Sequence, residues 1–194
     1  MLEQGWIVTF TGRRFYPLTP RIEDLNIEDI AHALSNICRF TGHCRQFYSV
    51  AQHSLLTSQY APDWLKLSML LHDASEAYLC DVSRPVKHAP GMAAYRAAEQ
   101  RLQNLIGQRF GVFFDDAWVH TIDNRMLMTE RRDLTNTAQT WSVDNLPPYE
   151  EVIVPMAPVQ AELAFLRTAE LLLPRESTGQ TPGDFRTGLH LLQG

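Results

Sequence analysis

The sequence has no apolar run of about 18 residues, the length that spans a bilayer, and no charged-then-apolar leader at Met1. It therefore predicts neither a membrane partner nor export. Cysteine is scarce: Cys38, Cys44 and Cys80 are the three, without Cys-x-x-Cys spacing. An odd count without a signal peptide points to reduced thiols in a cytoplasm, and no zinc role is expected of them. Clustered positive charge is also missing. The 17 Lys and Arg are scattered and the net charge is −5, so no nucleic-acid polymer is expected as partner. There are no internal repeats and no sign of a second core. At 194 residues, 45% hydrophobic and 20% charged, the chain reads as one globular domain with a proper core.

Local patterns predict an all-α bundle with a small N-terminal β arm. Trp6 to Pro17 alternates around Gly12 and reads as a short strand pair or extended arm. Asn26 is a candidate cap for a helix from Ile27 to Cys38, broken by Thr41-Gly42. Helices are then expected over Val50–Tyr60, from Pro62-Asp63 to Leu79, over Gly91–Phe110, from Asp115 to about Thr140, and over Pro158–Leu173. Asp81 to Pro90 reads as a loop, because Pro85 and Pro90 oppose a helix. Residues 1–174 are predicted to form the domain. Residues 175–194, with Leu189, Leu191 and Leu192 as anchors, are predicted to be a flexible or subunit-packing tail.

What stands out is His72-Asp73 inside the apolar run Leu65 to Leu79. An ionised carboxylate in a buried helix is costly unless paired or bound to a cation. Imidazole beside carboxylate is a common metal-ligand set. On a continuous helix His72, Asp73 and Glu76 project to one side. Glu76 then lies close enough to move protons, and burial in an apolar helix favours a raised pKa. Arg39, His43 and Arg45 form a basic group suited to a small phosphate. His53 lies on a predicted upstream helix and Asp123 on a downstream one. Arg84 reads as a solvated loop residue, and Glu130-Arg131-Arg132-Asp133 as a salt-linked helix face.

The ordered set His53, His72-Asp73, Glu76, Asp81, Lys87 and Asp123 resembles the HD-domain metal phosphohydrolases. His72-Asp73-Ala74-Ser75-Glu76, then Asp81 and Pro85-Val86-Lys87, is similar to the bacterial 5′-deoxynucleotidases. Arg39 to His43 and Phe47 to Ser54 look closer to the small phage-type dATP triphosphohydrolases and their bacterial relatives. The similarity runs from about Thr11 to Leu172. It implies that His53, His72, Asp73 and Asp123 ligate one divalent ion and that Glu76 is catalytic with Asp73. It also implies that Lys87 meets the phosphates, Asp81 the sugar 3′-hydroxyl and Phe40 the base or sugar face, where the 5′-deoxynucleotidases carry Trp.

Two imidazoles and two carboxylates suit Co²⁺, Mn²⁺, Zn²⁺, Ni²⁺ or Fe²⁺ better than Mg²⁺ or Ca²⁺. The expectation is hydrolysis of a deoxynucleotide, foremost dATP to deoxyadenosine and triphosphate. A 5′-deoxynucleotidase releasing orthophosphate is the alternative, and a non-catalytic nucleotide-binding module the third reading. By analogy the enzyme is a homo-oligomer, a dimer or a hexamer, in a bacterial or phage-infected cytoplasm.

Overall fold

The computed structural model describes residues 5–114, 116–136, 138–141 and 145–174. Its one sheet among them is the N-terminal arm, β1 (Ile7–Val8) paired antiparallel with β2 (Arg14–Phe15). Gly12, at φ 80°, turns the arm. Phe15 anchors it, fully buried and stacked on Tyr78 with ring centroids 4.0 Å apart. Buried Asp29 fixes the turn by accepting the Thr11 amide at 2.7 Å and hydroxyl at 3.0 Å. Everything else regular among the described residues is helical, as the sequence predicts. No described helix is long and apolar enough to cross a membrane. The predicted tail, 175–194, lies outside the described residues.

Helix α1 (Ile27–Asn36) starts at the expected cap, where the Asn26 side chain accepts the Glu28 amide at 2.8 Å. It stops two residues short of Cys38, which pairs instead with Ser49 in an isolated antiparallel bridge. The Arg39 amide donates to the Tyr48 carbonyl at 2.9 Å, and the Val50 amide to Ile37 at 3.0 Å. The bridge brings the 39–47 loop back to its own start. Within that loop Phe40 and Thr41 hold left-handed φ of 56° and 52°, followed by Gly42 at 81°. Two consecutive non-glycine residues there are costly and are held by the closed loop.

Helix α2 (Val50–Tyr60), capped by Ser49, carries Gln52, His53, Ser54, Thr57 and Ser58 yet is buried. It lies centrally, packed on α1 and on the later helices α3 (Lys66–Leu70), α7 (Asp116–Leu134) and α8 (Pro158–Leu172), so it has no free polar face to show. Most of its polar groups are used, the Ser54 hydroxyl excepted: Thr57 donates to the His53 carbonyl at 3.1 Å and Ser58 to that of Lys66 at 2.8 Å.

The helix expected as continuous to Leu79 is interrupted. A 3₁₀ turn (Asp63–Leu65) leads into α3 (Lys66–Leu70). Residues 71–75 form turns, and α4 (Glu76–Leu79) follows. The break falls on His72-Asp73. His72 Nδ1 lies 2.6 Å from the Met69 carbonyl. Gln103, on α6 (Ala93–Phe110), donates to the Leu71 carbonyl at 2.8 Å and accepts the Ser75 amide at 3.3 Å. Side chains thus satisfy backbone groups that the helix gives up.

The expected 81–90 loop contains a short helix, α5 (Arg84–Lys87), with Pro85 in its first turn, where no amide is needed. Helix α6 (Ala93–Phe110) ends at Gly111, φ 67°. Helix α7 (Asp116–Leu134) ends short of Thr140. Arg45 closes it, its amide donating to the Leu134 carbonyl at 2.9 Å and its guanidinium to that of Asp133 at 2.5 Å. A strap then crosses α7 and α2. Thr129 accepts the Tyr149 amide at 2.9 Å, and Asp133 that of Ile153 at 2.9 Å. Gln52 donates to the Val154 carbonyl at 2.8 Å and accepts the Met156 amide at 2.7 Å. Helix α8 (Pro158–Leu172) packs on α1 and α2.

The main apolar cluster, with Phe15, Leu34, Val50, Leu71, Ile106 and Phe165, draws on the arm, α1–α4, α6 and α8. Helix α7 joins a smaller one through Ile122, with Ala61, Leu65 and Met69.

Candidate metal centre

His53 comes from the middle of α2, His72 from the turn after α3 and Asp123 from α7. One ligand atom of each lies within 4.8 Å of the others. The two Nε2 atoms are 3.2 Å apart, and His53 Nε2 is 3.3 Å from Asp123 Oδ1. Asp73 Oδ2 stands 3.5 Å from His53 Nε2 and 3.4 Å from His72 Nε2. His53 is fully enclosed, whereas the Asp73 and Asp123 side chains are 21% and 20% exposed. The cluster therefore opens to solvent on its carboxylate side.

The ring tautomers follow from the partners of the other nitrogens. A carbonyl can only accept, so His72 Nδ1 carries hydrogen toward Met69. His53 Nδ1 faces Glu130 Oε1 at 2.6 Å and donates to it. In neutral rings both Nε2 atoms are then bare acceptors pointing at each other and at two carboxylates. Acceptors so crowded are relieved by a proton on one ring or by a cation between them. Burial and the Arg39 charge push the His53 imidazole down, yet Glu130 and Asp123 outweigh them and carry it up to about 9. Asp123 and Asp73 move the opposite way: against burial, the neighbouring histidines and Arg39 hold both carboxyls low. A divalent ion fits this donor set and would replace the proton.

Two expectations follow at once. Co²⁺ or Mn²⁺ at about 100 times its Kd should stabilise the fold by about 2.7 kcal/mol in thermal or urea unfolding. Binding should release a proton and tighten as pH rises toward 9, because free His53 holds that proton below this value. Calorimetry in buffers of different ionisation heat measures the release. An affinity flat between pH 6 and 9 would contradict this assignment of the proton.

Behind the cluster stands Glu130, which the sequence suggests is part of a salt-linked helix face rather than a site. It is fully buried and reaches both His53 and Arg39, the latter at 3.1 Å. The correction has a simple cause: Glu130 lies two helical turns after Asp123, on the same face of α7. That spacing is the signal that would have found it. Only the end of the run behaves as expected, with Arg132 paired to Asp133 at 2.6 Å. Arg39 also sits 3.5 Å from Asp73. It is half-buried and bound to two carboxylates rather than presented at a helix end.

Glu76 is buried, and its Oε2 has no hydrogen-bond partner among the described residues. Its other oxygen is 3.8 Å from Lys87 Nζ, which pairs more closely with Glu99 at 2.6 Å. Burial, then the charges of Asp73 and Asp81, raise the Glu76 carboxyl well above the usual range. Half-buried Asp81 is raised too, by burial and by Asp73 against opposition from Arg39 and Lys87. Glu76, Asp81 and Lys87 thus share one side of the cluster.

The basic group does not converge. His43 is exposed on the turn after Phe40, and Arg45 is exposed and committed to the end of α7. Half-buried Phe40 has its ring centroid 5.7 Å from the Arg39 guanidinium and 6.2 Å from the Trp141 ring. Sequence reading also passed over Gln103, which shapes the His72 turn, and Asn124, whose Oδ1 is 3.2 Å from both terminal nitrogens of Arg84.

Fold and site together define an all-α protein with a buried candidate metal centre of two imidazoles and a carboxylate. The chain belongs to the family of the uncharacterized protein YfdR of Escherichia coli (strain K12). The two are 39% identical over 166 residues, 84% of this chain and 92% of that protein. A stretch of 121 residues is 37% identical to the uncharacterized protein RCAP_rcc00048 of Rhodobacter capsulatus, covering 57% of this chain and 61% of that one. No protein-family model matches the chain. Neither relative's name states an activity, so function is argued from the site.

Proposed function

We propose that the chain is an HD-domain-type phosphohydrolase acting on deoxynucleotides, with hydrolysis of dATP to deoxyadenosine and triphosphate as its leading activity. The observation that carries this reading is the pairing of a cation-demanding cluster with Glu76, a buried carboxyl with an uncommitted oxygen. In this reading His53, His72, Asp73 and Asp123 hold one Co²⁺, Mn²⁺, Zn²⁺, Ni²⁺ or Fe²⁺ ion. Such an ion supplies Lewis acidity, polarising a phosphate oxygen and making a water more acidic. Glu76 holds a proton at Oε2 and gives it to the departing 5′-oxygen. Lys87 binds phosphate oxygens, Asp81 accepts from the sugar 3′-hydroxyl, and Phe40 lies against the base or sugar. A homo-oligomer, dimer or hexamer, completes the proposal.

A second reading, 5′-deoxynucleotidase action on monophosphates, is favoured by one specific observation. Arg39 is bound to Glu130 and Asp73, and Arg45 to the Asp133 carbonyl, so the cations expected for outer phosphates are engaged elsewhere. A panel of nucleotides with Co²⁺ or Mn²⁺ decides between them. Inorganic triphosphate from dATP, carrying ¹⁸O from labelled water, is the expected product. Faster orthophosphate release from dAMP at equal concentration would transfer the assignment to the second reading. Binding without turnover of any nucleotide would leave a nucleotide-binding module.

A further inference from the structure

Helix α5 (Arg84–Lys87) presents two cations one turn apart, and they reach different parts of the same centre. Lys87 Nζ approaches Glu76 at 3.8 Å. Arg84 Nη2 approaches Asp123 Oδ2 at 3.5 Å, and both its terminal nitrogens share the Asn124 Oδ1 at 3.2 Å. Pro85 stands between them and stiffens the turn. Arg84 is 52% exposed, unlike Arg39, which is enclosed by its carboxylates. Its contacts are long, and two donors on one amide oxygen leave most of a guanidinium's hydrogen-bonding capacity unused. The carboxylate charge it approaches is that of Asp123.

An ion taken up by His53, His72 and Asp123 cancels that charge. Arg84 then faces the solvent-open side of the cluster with Asn124 alone to hold it. A guanidinium fork matches two oxygens of a phosphate, and Lys87 adds a second charge from the same helical turn. We propose that Arg84 is a substrate-binding residue. Together with Lys87 it grips a phosphate group presented to the His53–His72–Asp123 cluster, exchanging Asp123 for the phosphate once the ion is in place. The assignment rests on the phosphohydrolase reading and adds to it a residue that the sequence marks only as a solvated loop cation.

Arg84→Ala and Arg84→Lys test it. Three quantities are measured on the intact chain: Mn²⁺ affinity without substrate, inorganic phosphate affinity of the Mn²⁺-loaded protein, and steady-state nucleotide hydrolysis. Arg84→Ala should bind Mn²⁺ at least as tightly as the wild type, since a like charge has gone. Its phosphate affinity should fall about 10–100-fold, the usual cost of a lost hydrogen bond between charged groups. KM should rise by a similar factor, and more than kcat falls. Arg84→Lys should recover part of the loss, because it keeps the charge without the fork. Unchanged phosphate affinity and KM in an otherwise active Arg84→Ala would overturn the proposal and leave the phosphohydrolase reading standing. Loss of Mn²⁺ from that variant would make Arg84 a support of Asp123 and also overturn it. A wild type that neither binds phosphate nor hydrolyses any nucleotide would remove both together.

Discussion

Glu130→Ala is expected to destabilise the fold by about 3–5 kcal/mol, the range for breaking a buried ion pair from one side. The change strands two groups at once. Arg39 keeps only its 3.5 Å contact with Asp73, and His53 Nδ1 loses its acceptor. Ion affinity should drop about 10–100-fold as well, because a metal-binding imidazole depends on the carboxylate behind it for orientation. Urea denaturation and a Co²⁺ titration measure the two effects. A variant within 1 kcal/mol of wild type would mean that Arg39 and His53 find other partners. The exposed pair Lys66–Asp63, only 2.7 Å long, serves as control, and Asp63→Ala should change nothing measurable. Acid sensitivity follows the same logic. Burial would raise the Glu130 carboxyl, but Arg39 and His53 hold it below its ordinary 4.5. Its contribution is therefore complete above 4.5 and is lost as pH falls through the lower folded value. Glu130→Gln should flatten the stability curve in that acid window.

Glu76→Gln is expected to lower turnover by about 10²–10⁴-fold while the ion stays bound. Glu76→Ala should do the same, and Asp73→Ala should remove both ion and activity. The distinction rests on position: Glu76 Oε2 has no partner among the described residues, whereas Asp73 lies within 3.5 Å of both imidazoles. Burial and the charges of Asp73 and Asp81 keep the Glu76 carboxyl protonated to higher pH than an ordinary glutamate. As a proton donor it should lose effectiveness as pH rises through that elevated value, giving an alkaline limb that the Gln variant lacks. Loss of ion from Glu76→Ala would instead make it a ligand or a structural residue.

Much of the architecture was legible because its signals are local. Asn26 before an apolar stripe and Gly111 after Phe110 mark helix ends within one turn of chain. The interruption at residues 71–75 was not legible, because Gln103 supports it from a distant helix. Pro85 suggested a loop, since the sequence does not say whether a proline lies in the first turn of a helix or in its interior. In the site, His53, His72 and Asp123 could be picked out by residue type and order. Glu130 could not, because a run of four charges looks solvated until its first member is seen two turns from Asp123. Arg39, His43 and Arg45 are neighbours in sequence, but the positive-φ loop and the Cys38–Ser49 bridge send them different ways.

Helix α7 stands outside the main apolar cluster, with a further consequence. Besides its buried Ile122, Met126, Met128 and Leu134, charged contacts hold it, including those of Glu130 and Asp123 with His53. An element so attached is a natural place for sub-global opening, with amide exchange faster than in the main core. His53, His72 and Asp73 belong to the α2–α3 body and Asp123 to α7, so an ion held between them would act as a cross-link between two cooperative units. Ion occupancy would then govern whether the domain unfolds in one transition or begins to open along the α7 seam.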